Sequence, residues 1–433
     1  MGRRHRVNSP PRERRLRLTV SVPELLTLDP TGSDPHGEHQ ALHARGPATR
    51  VDLLGVTAWS VSDPVLLKKL LTGPDVSKDA RQHWPQFAET VPTWPLALWV
   101  AVENMFTSFG SDHRRLRRMV APSFSARRVA ALGERVESIV DDLLDVLART
   151  PEGEAADVRE LFAYPLPIQV ICHLMGVPAE RRAGFRQLVD NVFATTLTPE
   201  EAAANTASLY GVLDELIAEK REQPGEDMTS LLIDARDEEG DGSALSEAEL
   251  RDTLLLMISA GYETTVNLLD QAITVLLTHP EQLALVREGR ANWSDVVEET
   301  LRFEPAVKHL PLRFAVRDIP LPDGQVIAKG EPVLASYAAA NRHPDWHGES
   351  ADTFDLTRTD PGPEHLAFGH GVHFCLGAPL ARLEGITALE KFFARFPDAR
   401  LGVPEEELRP VPSLISNGHQ TLPVVLRPRS AAD

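Results

Sequence analysis

Apolar residues recur at helical spacing over residues 127–149, 178–193, 199–222, 246–279, 294–303 and 377–396, with Pro or Gly breaks between them. The segment from Ser246 is the clearest. Ser246 and Glu249 have the spacing of a capping box, and Pro280 stops the helix more than thirty residues later. Its centre, Leu254 to Ala260, is almost wholly apolar, which predicts a helix through the middle of a domain. Residues 50–54, 56–61, 312–316, 326–327, 333–337 and 422–426 read as strands, with Pro322-Asp323-Gly324 as a turn. The expected class is mainly α with small β-sheets. The acidic stretch 234–242 reads as a surface loop, and no internal repeat is visible.

The length of 433 residues suggests about three domains at roughly 150 residues each. No linker separates folded units after residue 20, so a single domain over 21–433 is expected instead, behind a basic, disordered tail at 1–20. That tail has seven Arg and one Glu and lacks the apolar stretch of a signal peptide. The longest stretch without Asp, Glu, Lys or Arg, 161–179, is interrupted by Pro165, Pro167, Pro178, Gln169 and His173, so no membrane span is expected. With 63 acidic and 45 basic residues the net charge is −18, which argues against nucleic acid as a partner. A cytoplasmic location is the default expectation. Hydrophobic residues at 42% and charged residues at 25% suit a globular chain that needs no disulfide. The two cysteines, Cys172 and Cys375, can form neither a disulfide framework nor a four-thiolate zinc site.

Cys172 sits in the apolar run Ile168-Gln-Val-Ile-Cys-His173 and reads as core. Cys375 has different neighbours, in Phe368-Gly-His-Gly-Val-His-Phe-Cys375-Leu-Gly377. Gly369, Gly371 and Gly377 permit a tight turn and the close approach of a flat ligand. A helix begins just after Cys375, and its free N–H groups lower a thiol's pKa, so the sulfur is a candidate thiolate ligand. Phe, two Gly, Cys and Gly at these spacings arise by chance on the order of 10⁻⁷ per window. A second cluster, Ala260-Gly261-Tyr262-Glu263-Thr264-Thr265, lies midway along the long helix. An acid beside a hydroxyl in an apolar helix costs free energy unless it is solvated or used. Gly261 weakens the helix there, and a hydroxyl can bond into the backbone ladder, so a local bulge is expected.

The cysteine loop resembles the haem-binding signature of cytochromes P450, and the Ala-Gly-x-acid-Thr pattern is similar to that family's distal motif. The resemblance implies the cytochrome P450 fold, with haem b (iron protoporphyrin IX) sandwiched between the long helix and the cysteine loop. Cys375 would then be the metal ligand, a proximal thiolate that favours O–O cleavage. Phe368 would pack by the sulfur and His373 would meet a propionate. Thr264 would hydrogen-bond the reacting oxygen and Glu263 would relay protons, with Ala260, Gly261, Gly369 and Gly377 against the haem. His113 and Arg117, on one helical face, match the His-x-x-x-Arg propionate pair, and Arg313 matches a third anchor. Glu299 and Arg302 resemble the family's structural Glu-x-x-Arg pair. Many bacterial members place an Arg before the following Phe; Thr353 stands there, so that charge comes from elsewhere or is absent.

The resemblance spans about residues 45–426, and its texture looks like the actinobacterial family-154 P450s. These are associated with macrolide, steroid, alkane and other secondary-metabolite chemistry, and one similar branch with a redox-neutral cyclisation. By position in the family, Trp84, Phe87, Leu96, Val192, Leu256, Tyr262, Lys308, His309 and Ser416 are expected to wall the substrate pocket. Arg114, Arg115, Arg117, Arg118, Arg127 and Arg128 form a basic cluster, which the resemblance makes a docking face for an acidic ferredoxin. Neither a flavin nor a nicotinamide motif is present, so electrons from NAD(P)H would arrive through ferredoxin and ferredoxin reductase. The implied activity is monooxygenation: dioxygen activated to hydroxylate a moderately sized apolar substrate. The alternatives are a redox-neutral cyclisation or oxidative coupling, and a non-catalytic haem-thiolate binding protein.

Overall fold

The computed structural model describes residues 25–178, 182–359 and 364–427; the basic tail at 1–20 lies outside the described residues. Eight helices position the site: α1 (Gly110–Val120), α2 (Gly133–Leu147), α3 (Pro165–Met175), α4 (Arg182–Phe193), α5 (Pro199–Glu222), α6 (Glu247–Thr278), α7 (Trp293–Phe303) and α8 (Ala378–Arg395). The largest sheet has the strands β1 (Leu26–Thr27), β2 (Ala48–Leu53), β3 (Val56–Val61), β4 (Val76–Ser77), β5 (His309–Ala315) and β6 (Pro332–Ser336), in the order β1-β2-β3-β6-β5-β4. Ala155–Asp157, Pro423–Val425 and Arg400–Leu401 form a three-stranded sheet, and Ile319–Pro320 pairs with Val326–Ile327.

The central helix forms as its sequence dictates. Ser246 Oγ accepts from the Glu249 N–H at 3.1 Å while Glu249 returns a bond to the Ser246 N–H at 2.8 Å. α6 packs against α3, α5, α7 and α8, which explains why it is apolar on nearly every side. The main core gathers around it, and two smaller clusters cover the two sides of the largest sheet. No described helix is long and apolar enough to cross a membrane.

Two departures from expectation have local causes. The stretch 127–149 is two helices, Ala126–Ala131 and α2, broken at Leu132. The apolar pattern also underrates α1, whose Arg-rich face leaves only His113, Leu116, Met119 and Val120 buried. Within the largest sheet, β5 pairs antiparallel with β6 but loses register between Leu310 and Arg313. Pro311 sits at that irregularity and has no N–H to give the ladder.

Candidate active site

One cavity collects most of the residues that carried chemistry in the sequence. It encloses about 1380 Å³ of empty space, part of it continuous with solvent. One wall is a face of α6: Leu256, Ala260 and Thr264, spaced four apart, with Met257, Gly261 and Leu268 beside them. The cysteine loop contributes Phe368, Gly369, His373, Cys375 and Gly377. Arg117 from α1 and Arg313 from β5 also line the cavity.

The loop's shape needs its glycines. Gly369 and Gly371 have φ of +71° and +74°, and a Cβ on Gly371 would meet the Leu71 carbonyl oxygen at 2.5 Å. The Cys375 N–H donates to the Phe368 oxygen at 2.9 Å, which folds the loop back on itself. Arg382 in α8 holds Glu298 of α7 through bonds of 2.6 and 2.9 Å and lies over the Phe368 ring. Burial opposes ionisation of Glu298, but hydrogen bonds from Arg382 and His365 win and bring its pKa to about 2. The sequence reading missed this clamp because its members lie 84 residues apart.

Cys375 is deep in the protein, yet its sulfur surface is free and opens into the cavity; Cys172 is fully buried. Burial pushes the Cys375 thiol up, against the Gly377 and Ala378 N–H groups and the Arg117 and Arg382 charges. The helix start lowers this thiol as expected, but burial outweighs it. A metal cation would deprotonate a coordinating thiol outright.

The cation set is tighter than the sequence suggested. Burial holds His373 well below the ordinary histidine range, and Arg313, His113, Lys78 and Arg117 act in the same direction. The His113 and His373 rings lie 4.1 Å apart. Arg117 donates to the Phe374 carbonyl at 2.7 Å, while Arg313 is buried with Nη1 unpartnered. Lys78 was not foreseen. It is 2% exposed, donates to the Pro311 oxygen at 2.9 Å and lies 3.6 Å over the Phe106 ring.

Glu299 and Arg302 are both buried and joined by two bonds of 2.8 Å. Arg302 also donates to the Ala351 and Thr353 carbonyls. The charge missing at Thr353 arrives from Arg358, whose Nε lies 3.5 Å from Glu299 Oε1 and whose Nη2 donates to the Thr353 oxygen.

The distal motif divides. Thr264 faces the cavity and donates to the Ala260 carbonyl at 2.6 Å. Glu263 does not line the cavity. It is 4% exposed, accepts from Ser416 Oγ at 2.7 Å, and lies 3.4 Å from Arg159, which also binds Asp270 at 2.6 Å. Burial raises the Glu263 pKa against Arg159 and these hydrogen bonds. The expected bulge is absent: α6 is continuous from Glu247 to Thr278. Gly261 is needed for packing instead, because a Cβ there would meet Ile171 Cδ1 of α3 at 3.1 Å.

Of the expected pocket walls only Leu256 lines this cavity. Trp84 and Leu96 are buried in the core beside the largest sheet, with Phe87 and Val192 packed on it, and Trp84 stacks on Phe314. Tyr262 points to the opposite side of α6, toward Tyr164. Lys308 is buried, His309 binds Glu38 and Ser336, and Ser416 is spent on Glu263 and Asn267. Met105, Phe106, Phe124, Ile171, Leu301 and Val307 supply the apolar surface in their place. These positions came from approximate placement along the chain, which cannot resolve which side of a strand or helix a residue occupies.

The basic cluster also divides. Arg115 pairs with Glu249 and Arg118 with Asp237 and Glu239, while Arg117 turns inward. Arg114, Arg127 and Arg128 are exposed.

A sequence profile described as Cytochrome P450 matches residues 21–289 and 293–410. The chain is 42% identical over 408 residues to a 2-hydroxy-5-methyl-1-naphthoate 7-hydroxylase of Streptomyces carzinostaticus, covering 94% of this chain and 98% of that protein. It is 40% identical over 413 residues to the cytochrome P450 monooxygenase PikC of Streptomyces venezuelae, covering 94% and 95%. Among solved structures, CYP154A1 from Streptomyces coelicolor A3(2) superposes with a TM-score of 0.89 at 71% identity, covering 93% of this chain and all of that one.

Proposed function

The chain belongs to the cytochrome P450 family, whose members carry haem-thiolate iron, and from that premise we propose that it hydroxylates a moderately sized, largely apolar intermediate of secondary metabolism. The observation that carries the proposal is the meeting of a free sulfur, an α6 face bearing Thr264, and buried cations around one cavity. This lining fits a haem. Cys375 would hold the iron, and Phe368, Ala260 and Gly261 offer surfaces for a flat macrocycle. The unpartnered Arg313 nitrogen, with Arg117, His373 and His113, answers two carboxylates. When bound, haem supplies thiolate-supported activation of dioxygen.

The protein's own residues then have separate tasks. Met105, Phe106, Ile171, Leu256 and Val307 desolvate an apolar substrate. Thr264 offers a hydroxyl donor and acceptor on the oxygen side. Glu263, one residue earlier, relays protons, and its Oε2 has no partner among the protein groups. Monooxygenation consumes one dioxygen, two electrons and two protons, placing one oxygen in the substrate and releasing the other as water. The electrons come from NAD(P)H through ferredoxin reductase and ferredoxin, docked by charge at the exposed Arg114, Arg127 and Arg128.

Ferric protein is to be screened by spectral shift against an aromatic acid, a macrolide and a steroid, the chemistry of 2-hydroxy-5-methyl-1-naphthoate being the first probe because a relative is named for it. With any compound that shifts the spectrum, Thr264→Ala is expected to lower product formed per dioxygen by about 10²-fold while dioxygen uptake continues. Unchanged coupling removes Thr264 from the chemistry. Product formation without dioxygen or NADPH replaces hydroxylation by a redox-neutral reaction.

A further inference from the structure

One short segment near the C-terminus, Ser416-Asn417-Gly418-His419, binds two buried acids of α6, Glu263 and Asp270. Ser416 Oγ donates to Glu263 Oε1 at 2.7 Å. The His419 backbone N–H donates to Asp270 Oδ2 at 2.6 Å, and His419 Nδ1 lies 3.0 Å from Oδ1. Arg159 stands between the two acids, 2.6 Å from Asp270 and 3.4 Å from Glu263. Asn267 closes the ring, accepting from Arg159 at 3.0 Å and donating to Ser416 at 2.7 Å. Gly418 is pressed against the same groups: a Cβ there would collide with Asn267 Oδ1, Arg159 Nη1 and Asp270 Oδ2. Arg159 and Asp270 are fully buried and Glu263 is 4% exposed, whereas the His419 side chain keeps 16% of its surface in solvent.

The charges of this ring constrain one another. Burial opposes ionisation of Asp270, but Arg159 and then His419 outweigh it and lower its pKa. Arg159 and Asp270 therefore cancel. A cluster in low dielectric resists net charge, so Glu263 can ionise only where another member gains a proton. His419 is the member that solvent reaches. Its Nδ1 faces a carboxylate and so carries the hydrogen, which leaves Nε2 to take up a proton.

We infer that His419 is the charge partner of Glu263: the two share one proton, and as Glu263 releases its proton toward Thr264, His419 takes one up from solvent. The inference rests on the monooxygenase reading and makes His419 a positioning residue, acting through Asp270 and Arg159. An O–H bond breaks at Glu263, an N–H bond forms at His419 Nε2, no electron moves, and the ring stays neutral. Recharging of Glu263 returns the proton of His419 to solvent. Burial opposes protonation of His419, but the charge and hydrogen bonds of Asp270 outweigh it and raise its pKa; Arg159 acts against Asp270, and Glu304, which follows α7, acts with it. Around Glu263, burial raises the pKa, Arg159, Ser416 and Asn267 lower it, and Asp270 raises it. Tyr164 and Asp190 of α4 also face Glu263, and burial raises Asp190 to about 7. Groups coupled in this way titrate together, so replacing one moves the other.

The test uses ferric protein. Infrared difference between wild type and Glu263→Gln identifies the protonated-carboxyl band of Glu263. His419→Gln keeps a donor for Asp270 but cannot gain charge, so the band should be stronger than in wild type and persist to a pH higher by about 1. His419→Lys restores a cation and should return the band to wild-type strength or below. Asp270→Asn removes the competing anion and should weaken it. A Glu263 band unmoved by His419→Gln and Asp270→Asn overturns the inference. Asp190→Asn should leave the difference between wild type and His419→Gln in place; its disappearance assigns the titration to Asp190 and overturns the pairing. Dioxygen uptake with NADPH, ferredoxin and its reductase, without added substrate, should slow by about 10-fold in His419→Gln and recover in His419→Lys. Equal slowing in both variants with an unmoved band is the result of a purely structural residue and also overturns the inference. Failure of wild type to oxygenate any compound, while the band follows His419, refutes the monooxygenase reading and leaves the shared proton standing.

Discussion

Cys375→Ala is expected to yield folded protein with no thiolate-type absorption of the reduced carbon-monoxide complex, and with oxygenation at background. The sulfur opens into the cavity rather than into the core, so its removal leaves helix packing intact. It is also the only sulfur of a cysteine on the cavity lining, and Cys172 is buried elsewhere in the core. The His113 and His373 rings lie tilted 4.1 Å apart, and an imidazole in place of the thiolate would not restore the same electronic environment. The measurement is the reduced carbon-monoxide difference spectrum beside far-ultraviolet circular dichroism. Retention of the thiolate band in the folded variant removes Cys375 from the iron.

Glu299→Ala carries the largest expected loss of stability. Glu299 is 1% exposed and Arg302 is fully buried, and Arg358 approaches the same carboxylate at Oε1. Removing the acid strands two guanidinium groups in low dielectric, at a cost of about 3–5 kcal/mol. Arg358→Met should cost less, because Arg302 still satisfies Glu299 through two short bonds. Urea unfolding of both variants and of the double substitution measures the coupling. If Arg358→Met alone matches the loss in Glu299→Ala, Arg302 is not the main partner. If it costs nothing, Arg358 does not replace the arginine missing at Thr353.

The molecule shows why some of this could be read in advance. The cysteine loop is local: its glycines, sulfur and following helix lie within ten residues, and backbone conformation ties their geometry to their order. The span of the central helix is local as well, because caps and apolar spacing act over a few turns. The pair Glu299 and Arg302 is legible since one helical turn brings both side chains to one face.

The pocket residues are different. Trp84, Lys308 and Ser416 stand near the right chain positions, yet the rotation of one element about its neighbours sends them to the core or the Arg159 network. Lys78 reaches the cavity only because β4 lies against β5. Arg358 replaces a charge expected five residues earlier, since a turn rather than sequence spacing aims it at Glu299. The helical turn that presents Thr264 to the cavity carries Glu263 away from its lining, and α8 contributes Glu384 to that lining from more than a hundred residues downstream. By itself the sequence determined the family, the sulfur, the central helix and the local ion pair, all set by interactions among near neighbours. The tertiary structure alone decided which cations, which acid and which apolar walls share the cavity, because long-range packing sets which face of each element is buried there.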